Sequence, residues 1–382
     1  MPAAQPPPRG SQVAAALRAL RALRVGVDAW NLPHDRRGIG RYVKALLRRW
    51  TRAQEQRVDV TLIVPERPAF LHAGRYAAAL GGRRLTLASR QSAARMGLDV
   101  IWYPWNGMSW TAPGRRVATL HDASPFALPP ADLGVRQRAQ EPFRCAAIQA
   151  DRIITDSYFS KRELVGYLAL DPADISVVHL GVDMPPQAEG MRRPPLPPGT
   201  SRFLLFVGEL DERKGLTTLL GAWQSLPPGL REPTALLVAG RLPANRPQLQ
   251  SASGLRLLGH VRDEELASLY THAAALVYPS SYEGFGLPVL EAMAHGTPVI
   301  AADGPGIREA GGDAARYFTP GDERALRSAI ERVLAGESVA AAMRAGGLAR
   351  AAAMSWDATA DQTLAVLSEG GRGRGRDEQN RV

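Results

Sequence analysis

The chain has a single cysteine, Cys145, among 382 residues. No intrachain disulfide can form and no cysteine cage can hold a metal, a pattern that fits a reducing cytoplasm. No stretch reaches the roughly 18 uninterrupted apolar residues that a membrane-spanning helix needs. The opening "MPAAQPPPRGSQVAAALRALRALR" lacks the apolar block and cleavage site of a secretory signal, so residues 1–22 read as a disordered leader. Aromatic residues make up only 6% of the sequence and no groove-reading motif occurs, which argues against a nucleic-acid-binding protein. There is no Asp-any-Asp triplet, the usual carboxylate pair that holds a divalent metal on a nucleotide diphosphate. The dinucleotide fingerprint is missing as well: in "GIGRY" Val43 stands where the third glycine belongs, and ten residues separate Asp28 from Gly38. That removes a sugar-nucleotide epimerase or dehydrogenase.

What is present supports a folded protein of two domains. Hydrophobic residues make up 45% of the sequence, and a chain of this length exceeds the roughly 250 to 300 residues at which a single core tends to divide. The net charge of +10, from 47 Lys and Arg against 37 Asp and Glu, suggests anionic partners. Part of that excess sits in the tail, residues 370–382, which reads as disordered.

Short apolar runs alternate with helical periodicity along residues 23–184. "LRVGVDAW" reads as a strand, followed by the helix-like "GIGRYVKALLRRW" with Val43, Leu46, Leu47 and Trp50 at helical spacing. "VDVTLIVP", "LDVIWYP", "RRVATLHD", "DRIITDS" and "ISVVHLGVD" continue the series. Residues 185–201 hold six prolines with no periodicity and read as a linker. The pattern restarts over residues 202–352, from "RFLLFVGEL" to "TPVIAAD" and beyond, and residues 353–369 suggest one more helix. Alternating strands and helices predict an α/β fold with two parallel sheets, and a cleft between the two halves.

Two segments of the second half carry candidate chemistry. In "YEGFGLPVLEA", Glu283 follows a strand, and Pro288 suits the first turn of a helix beginning near Leu287. Gly284 and Gly286 would let an anion approach the helix end, and Phe285 lies between them. Glu291 falls about one turn in. Carboxylates beside a phosphate-binding helix end suit a nucleotide-sugar, which carries both hydroxyls and diphosphate. The plainer reading is a loop residue and an early-helix charge worth about 0.3 to 1 kcal/mol. In "GELDERKGL", Arg213 offers a planar fork and Lys214 a point charge to phosphate oxygens, although such a pair alone is more often a solvated turn.

Together these segments, with their Glu, seven residues, Glu spacing, resemble glycosyltransferase family 4, whose fold is GT-B, two facing Rossmann-like domains. The resemblance runs from "GVDAW" to "MSWDATADQTLAVL". It implies that Glu283 lies by the donor sugar, Glu291 by the nucleotide ribose, and Arg213 with Lys214 by the diphosphate. It also implies that Gly38 and Gly40 of "GIGRY" lie against donor phosphate and acceptor, and that His121 of "TLHDASPF" stands near the reacting sugar. Many members carry Arg straight after the first glycine of the cation segment, where this chain has Glu209.

The resemblance implies a retaining, metal-independent hexosyltransferase with no cofactor. It is nearest to mannosyl- and rhamnosyltransferases of bacterial surface polysaccharides, with a GDP-sugar donor and a glycan or lipid-linked glycan acceptor. Base selection is expected around His260 and Val261. The basic positions Arg41, Lys44 and Arg48 on the first helix could rest on an anionic membrane, making the protein cytoplasmic and peripheral, or could form a solvated face. A catalytically inactive relative serving as a scaffold is the alternative.

Overall fold

The computed structural model describes residues 22–35, 38–52, 58–65, 69–83, 85–185, 192–209, 212–240 and 254–369. The expected leader up to residue 21, residues 186–191 of the linker and the tail from residue 370 lie outside the described residues.

Two parallel sheets carry the chain. The first contains β1 (Leu23–Asp28), β2 (Val58–Val64), β3 (Thr86–Ser89), β4 (Val100–Tyr103), β5 (Arg116–Thr119), β6 (Arg152–Thr155) and β7 (Ile175–Val177), in the order β3-β2-β1-β4-β5-β6-β7. The second contains β8 (Arg202–Val207), β9 (Thr234–Ala239), β10 (Leu255–Gly259), β11 (Ala275–Tyr278), β12 (Val299–Ala302) and β13 (Arg316–Phe318), in the order β10-β9-β8-β11-β12-β13. Strands such as "RFLLFV" and "TALLVA" are apolar without alternation because helices cover both faces of a parallel sheet; Phe203 to Phe206 have no exposed surface. In each sheet the strand order reverses, between β1 and β4 and between β8 and β11. The strand C-terminal ends there form the crevice in which such sheets bind ligands.

The sequence pattern did not reveal β3, β13, or the helices Leu133–Gln149, Pro305–Gly311, Glu323–Ala335 and Glu337–Ala352. β3 and β13 have four and three residues, too short for any periodicity to register.

The last helix, Trp356–Ser368, leaves the second half and packs on the helix Gly38–Trp50 of the first. Trp50 donates its indole N–H to the Ala360 carbonyl at 3.2 Å, and Trp356 is buried beside Tyr42. The two segments that link the halves run side by side, with Val182 N–H donating to the Met354 carbonyl at 2.8 Å. Arg49 ties both together through Asp183 at 2.5 Å and Asp357 at 2.8 Å.

Candidate active site

The two cation-bearing and acid-bearing loops of the second half are laced by backbone contacts. Ser281 N–H donates to the Arg213 carbonyl at 2.8 Å, and the Arg213 guanidinium donates to the Tyr282 carbonyl at 3.0 Å. This brings Lys214 Nζ to 2.5 Å from Glu283 Oε1, with the Tyr278 hydroxyl 3.2 Å from the same ammonium. Arg213 stands 3.5 Å from that carboxylate, and Ser280 donates its hydroxyl to it. Burial alone pushes the Glu283 carboxyl up; Lys214 and then Arg213 outweigh it and hold it below the usual carboxylate range.

The helix that follows spans Leu287–Ala294, with Pro288 in its first turn and no acid there. Gly286 precedes it at φ 106°, a left-handed conformation that favours glycine. In its first turn Pro288 has no N–H to satisfy, and the Val289 N–H donates to the Gly286 carbonyl at 2.9 Å. Glu291, one turn in, accepts from the Tyr270 hydroxyl at 3.0 Å and pairs with Arg41 of the other half. Arg41 also reaches Asp263 at 3.1 Å. Val261, half buried two residues ahead of Asp263, lies at this end of the site; His260 is exposed.

The first half meets this loop through His121, which ends the segment after β5. His121 Nδ1 lies 2.8 Å from Asp156 Oδ2, and its backbone N–H donates to Asn106 at 2.7 Å. Burial pushes the imidazole down, but the adjacent Asp156 carboxylate overcomes this and raises its pKa above the ordinary value. A side chain at Gly284 would collide with the His121 carbonyl oxygen, 2.6 Å from where its Cβ would stand. The Gly284 carbonyl in turn accepts from Ser160 at 3.2 Å and from Ser157. The acid loop and the histidine thus touch directly across the cleft.

The packing of the other expected residues is defined as well. Gly284 is docked on the first half, and the Phe285 ring is buried against His179, with centroids 5.7 Å apart. Gly40 is glycine because the Asp35 carbonyl oxygen would be 2.2 Å from its Cβ; it shapes its own loop. Gly38 does face the cleft: a Cβ there would stand 3.9 Å from Leu287 Cδ2. The basic face expected from Arg41, Lys44 and Arg48 is not a single outward surface. Arg41 turns into the cleft, and Lys44 donates to the Asp35 carbonyl at 2.6 Å, which leaves Arg48 the exposed member, donating to Ala79 at 3.3 Å. Helical spacing placed the three together but could not say that carboxylates of another domain would claim the first.

Sequence reasoning missed Asp156, Ser157, Ser160, Tyr270, Tyr278, Ser280 and Glu309. Of these, "TDS" before the helix Tyr158–Leu168 carried a signal, since Ser157 caps that helix. The rest depend on contacts between segments far apart in the chain.

Residues 36–184 match the family described as Glycosyltransferase Family 4, and residues 188–350 match glycosyl transferases group 1. O-antigen chain mannosyltransferase B of Escherichia coli is 32% identical over 279 residues, covering 69% of this chain and 73% of that protein. D-inositol 3-phosphate glycosyltransferase of a Nocardioides species is 32% identical over 243 residues, 57% of this chain and 53% of that protein. The chain thus spans about half the length of that second relative. The structure of Anabaena Alr3699/HepE in complex with UDP-glucose superposes with a TM-score of 0.66 at 16% identity, covering 91% of this chain and 99% of that one. The two facing parallel-sheet domains are the GT-B fold of a glycosyltransferase. The chain belongs to glycosyltransferase family 4.

Proposed function

We propose that the protein is a retaining, metal-independent hexosyltransferase, moving a mannose-like sugar from a nucleoside-diphosphate donor to a hydroxyl of a glycan or lipid-linked glycan. The observation that carries the reading is the meeting of Lys214, Glu283 and the Leu287–Ala294 helix end with His121 across one cleft. GDP-mannose is the proposed donor, supported by the mannosyltransferase relative; the UDP-glucose of the Anabaena protein makes a UDP-sugar the second choice.

In this mechanism the donor diphosphate lies on the helix end beside Arg213 and Lys214, which stabilise the charge that develops as it leaves. The bond between the sugar's anomeric carbon and the phosphate oxygen breaks. A bond from that carbon to the acceptor oxygen forms on the same face, and the acceptor's proton passes to the leaving phosphate. Glu283 would orient the sugar hydroxyls and Glu291 the ribose. Positioned charge of this kind is typically worth about 100-fold to 1000-fold in rate per donor. The buried imidazole of His121, aligned by Asp156, would border the sugar.

A cytoplasmic location is part of this proposal and is supported by the single cysteine, which fits a reducing compartment. Among the described residues no helix is long and apolar enough to cross a membrane. Attachment to anionic lipid through the first helix would rest on Arg48, since Arg41 and Lys44 are engaged elsewhere. The test is a thermal-shift series with GDP, UDP, dTDP and ADP, followed by a transfer assay with the sugar form of the stabilising nucleotide. No shift with any of the four, and no transfer or donor hydrolysis, would instead establish a non-catalytic relative.

A further inference from the structure

Arg41 stands in the first turn of the helix Gly38–Trp50, where the helix macrodipole disfavours a cation. Neither this helix nor Leu287–Ala294 has an acid in its first turn, and Gly38 at the start of one approaches Leu287 at the start of the other. Two positive helix ends from opposite halves therefore converge beside a guanidinium. That combination favours an anion.

Its partners at present are carboxylates. Arg41 donates one arm to Glu291 Oε1 and the other to Asp263 Oδ1 at 3.1 Å. The Glu291 side chain is 14% exposed and that of Asp263 84%, so the sheltered contact is with Glu291. Glu291 Oε2 already accepts from the Tyr270 hydroxyl. A ribose diol approaching this carboxylate would share its two oxygens with the Arg41 guanidinium and the Tyr270 hydroxyl.

The charge count on the donor side points the same way. Arg213 and Lys214 both stand against Glu283, at 3.5 Å and 2.5 Å, and Glu291 lies one turn into the helix that follows. Two cations and two carboxylates balance, so a diphosphate added to that set makes it net negative. A cation from the facing half corrects it.

We infer that Arg41 is a donor-binding residue contributed by the acceptor-side half: it is held by Glu291 until the nucleotide arrives, then exchanges that carboxylate for the diphosphate as the ribose hydroxyls take Glu291. This rests on the donor-site reading above. Binding is then an exchange of partners, and only a ligand carrying both ribose and phosphate completes it. A nucleoside displaces the guanidinium without offering it a new anion.

The two kinds of ligand should therefore respond oppositely to loss of Arg41. Binding of GDP and guanosine, and of UDP and uridine, is measured by calorimetry with the full chain as wild type, Arg41→Ala, Arg41→Lys and Arg48→Gln. Arg41→Ala is expected to weaken the preferred nucleoside diphosphate about 10-fold or more, the scale of a lost charge-assisted contact, and to tighten its nucleoside several-fold. Arg41→Lys, which keeps the charge and guards against a misfolded alanine variant, falls between, and Arg48→Gln matches wild type. Parallel weakening of both ligands would mean that Arg41 only staples the halves, and an unchanged diphosphate affinity would equally overturn the inference. Failure of wild type to bind any of the four probes would strike the donor-site reading itself.

Discussion

Glu309, in the half that carries the acid pair, caps a helix of the other half by accepting from the Phe159 N–H at 2.8 Å and the neighbouring Tyr158 N–H at 2.7 Å. His179 lies 3.1 Å from the same carboxylate. A cap that normally comes from a helix's own preceding residues is here supplied partly from across the cleft, beside Ser157. Glu309→Ala is expected to cost about 1 kcal/mol, the usual value of a cap, in denaturant unfolding. Small-angle scattering should also show a larger radius of gyration.

The pH dependence of that joint has a definite sign. Burial pushes the Glu309 carboxyl up, but His179 and the two backbone N–H donors outweigh it and depress its pKa. Its stabilisation is therefore present above the ordinary carboxylate value and is lost as pH falls through the depressed one. The stability difference between wild type and Glu309→Gln should persist at neutral pH and close on acidification. A difference that widened in acid would refute the assignment.

Lys214 and Glu283 are mutually dependent as well as catalytic in the proposed reaction. Lys214→Ala and Glu283→Gln should each lower turnover by about 100-fold to 1000-fold. Lys214→Ala also takes the nearer of two cations from a sheltered carboxylate, leaving Arg213 at 3.5 Å, and should cost about 1 to 3 kcal/mol of stability. The double variant is expected to regain part of that stability and none of the turnover, which unfolding and steady-state kinetics together would show.

Asp28, at the C-terminal end of β1, is 2% exposed, and burial pushes its carboxyl up to about 6 against the lowering influence of Trp110, Arg90 and the Trp30 N–H. Tyr76 and Tyr103 also face it. A buried acid whose folded pKa exceeds its unfolded value makes the fold most stable below the unfolded value, and stability falls as pH rises towards 6. Asp28→Asn removes this titration. Its stability relative to wild type should rise between about pH 4 and 6 and level off above, by roughly 2 to 3 kcal/mol at most. A flat difference across that range would rule the shift out.

The fold was legible because strands buried on both faces are written as unbroken apolar runs: "RFLLFV" and "TALLVA" announce themselves without any partner in view. The acid pair was legible for a related reason, since a strand end, two glycines and Pro288 fix a helix start locally. What remained hidden was whatever a side chain does across the cleft. Nothing in the spacing of Arg41, Lys44 and Arg48 distinguishes a lipid-facing stripe from a set in which Arg41 meets Glu291, 250 positions away. Glu309 was hidden in the same way, because Tyr158 and Phe159 offer it only backbone N–H groups, which every residue type but proline would supply.

The contact of Gly284 with the His121 carbonyl makes one peptide unit a spacer between the two halves of the chain. Glu283 is fixed to that peptide covalently on one side, and the imidazole is fixed to the carbonyl it touches on the other. The separation of the two backbones at this point is thus set by a peptide lying against a carbonyl, and a side chain at position 284 would force them apart. Any substitution of Gly284 is therefore expected to disturb the joint between the halves before it alters a side-chain contact.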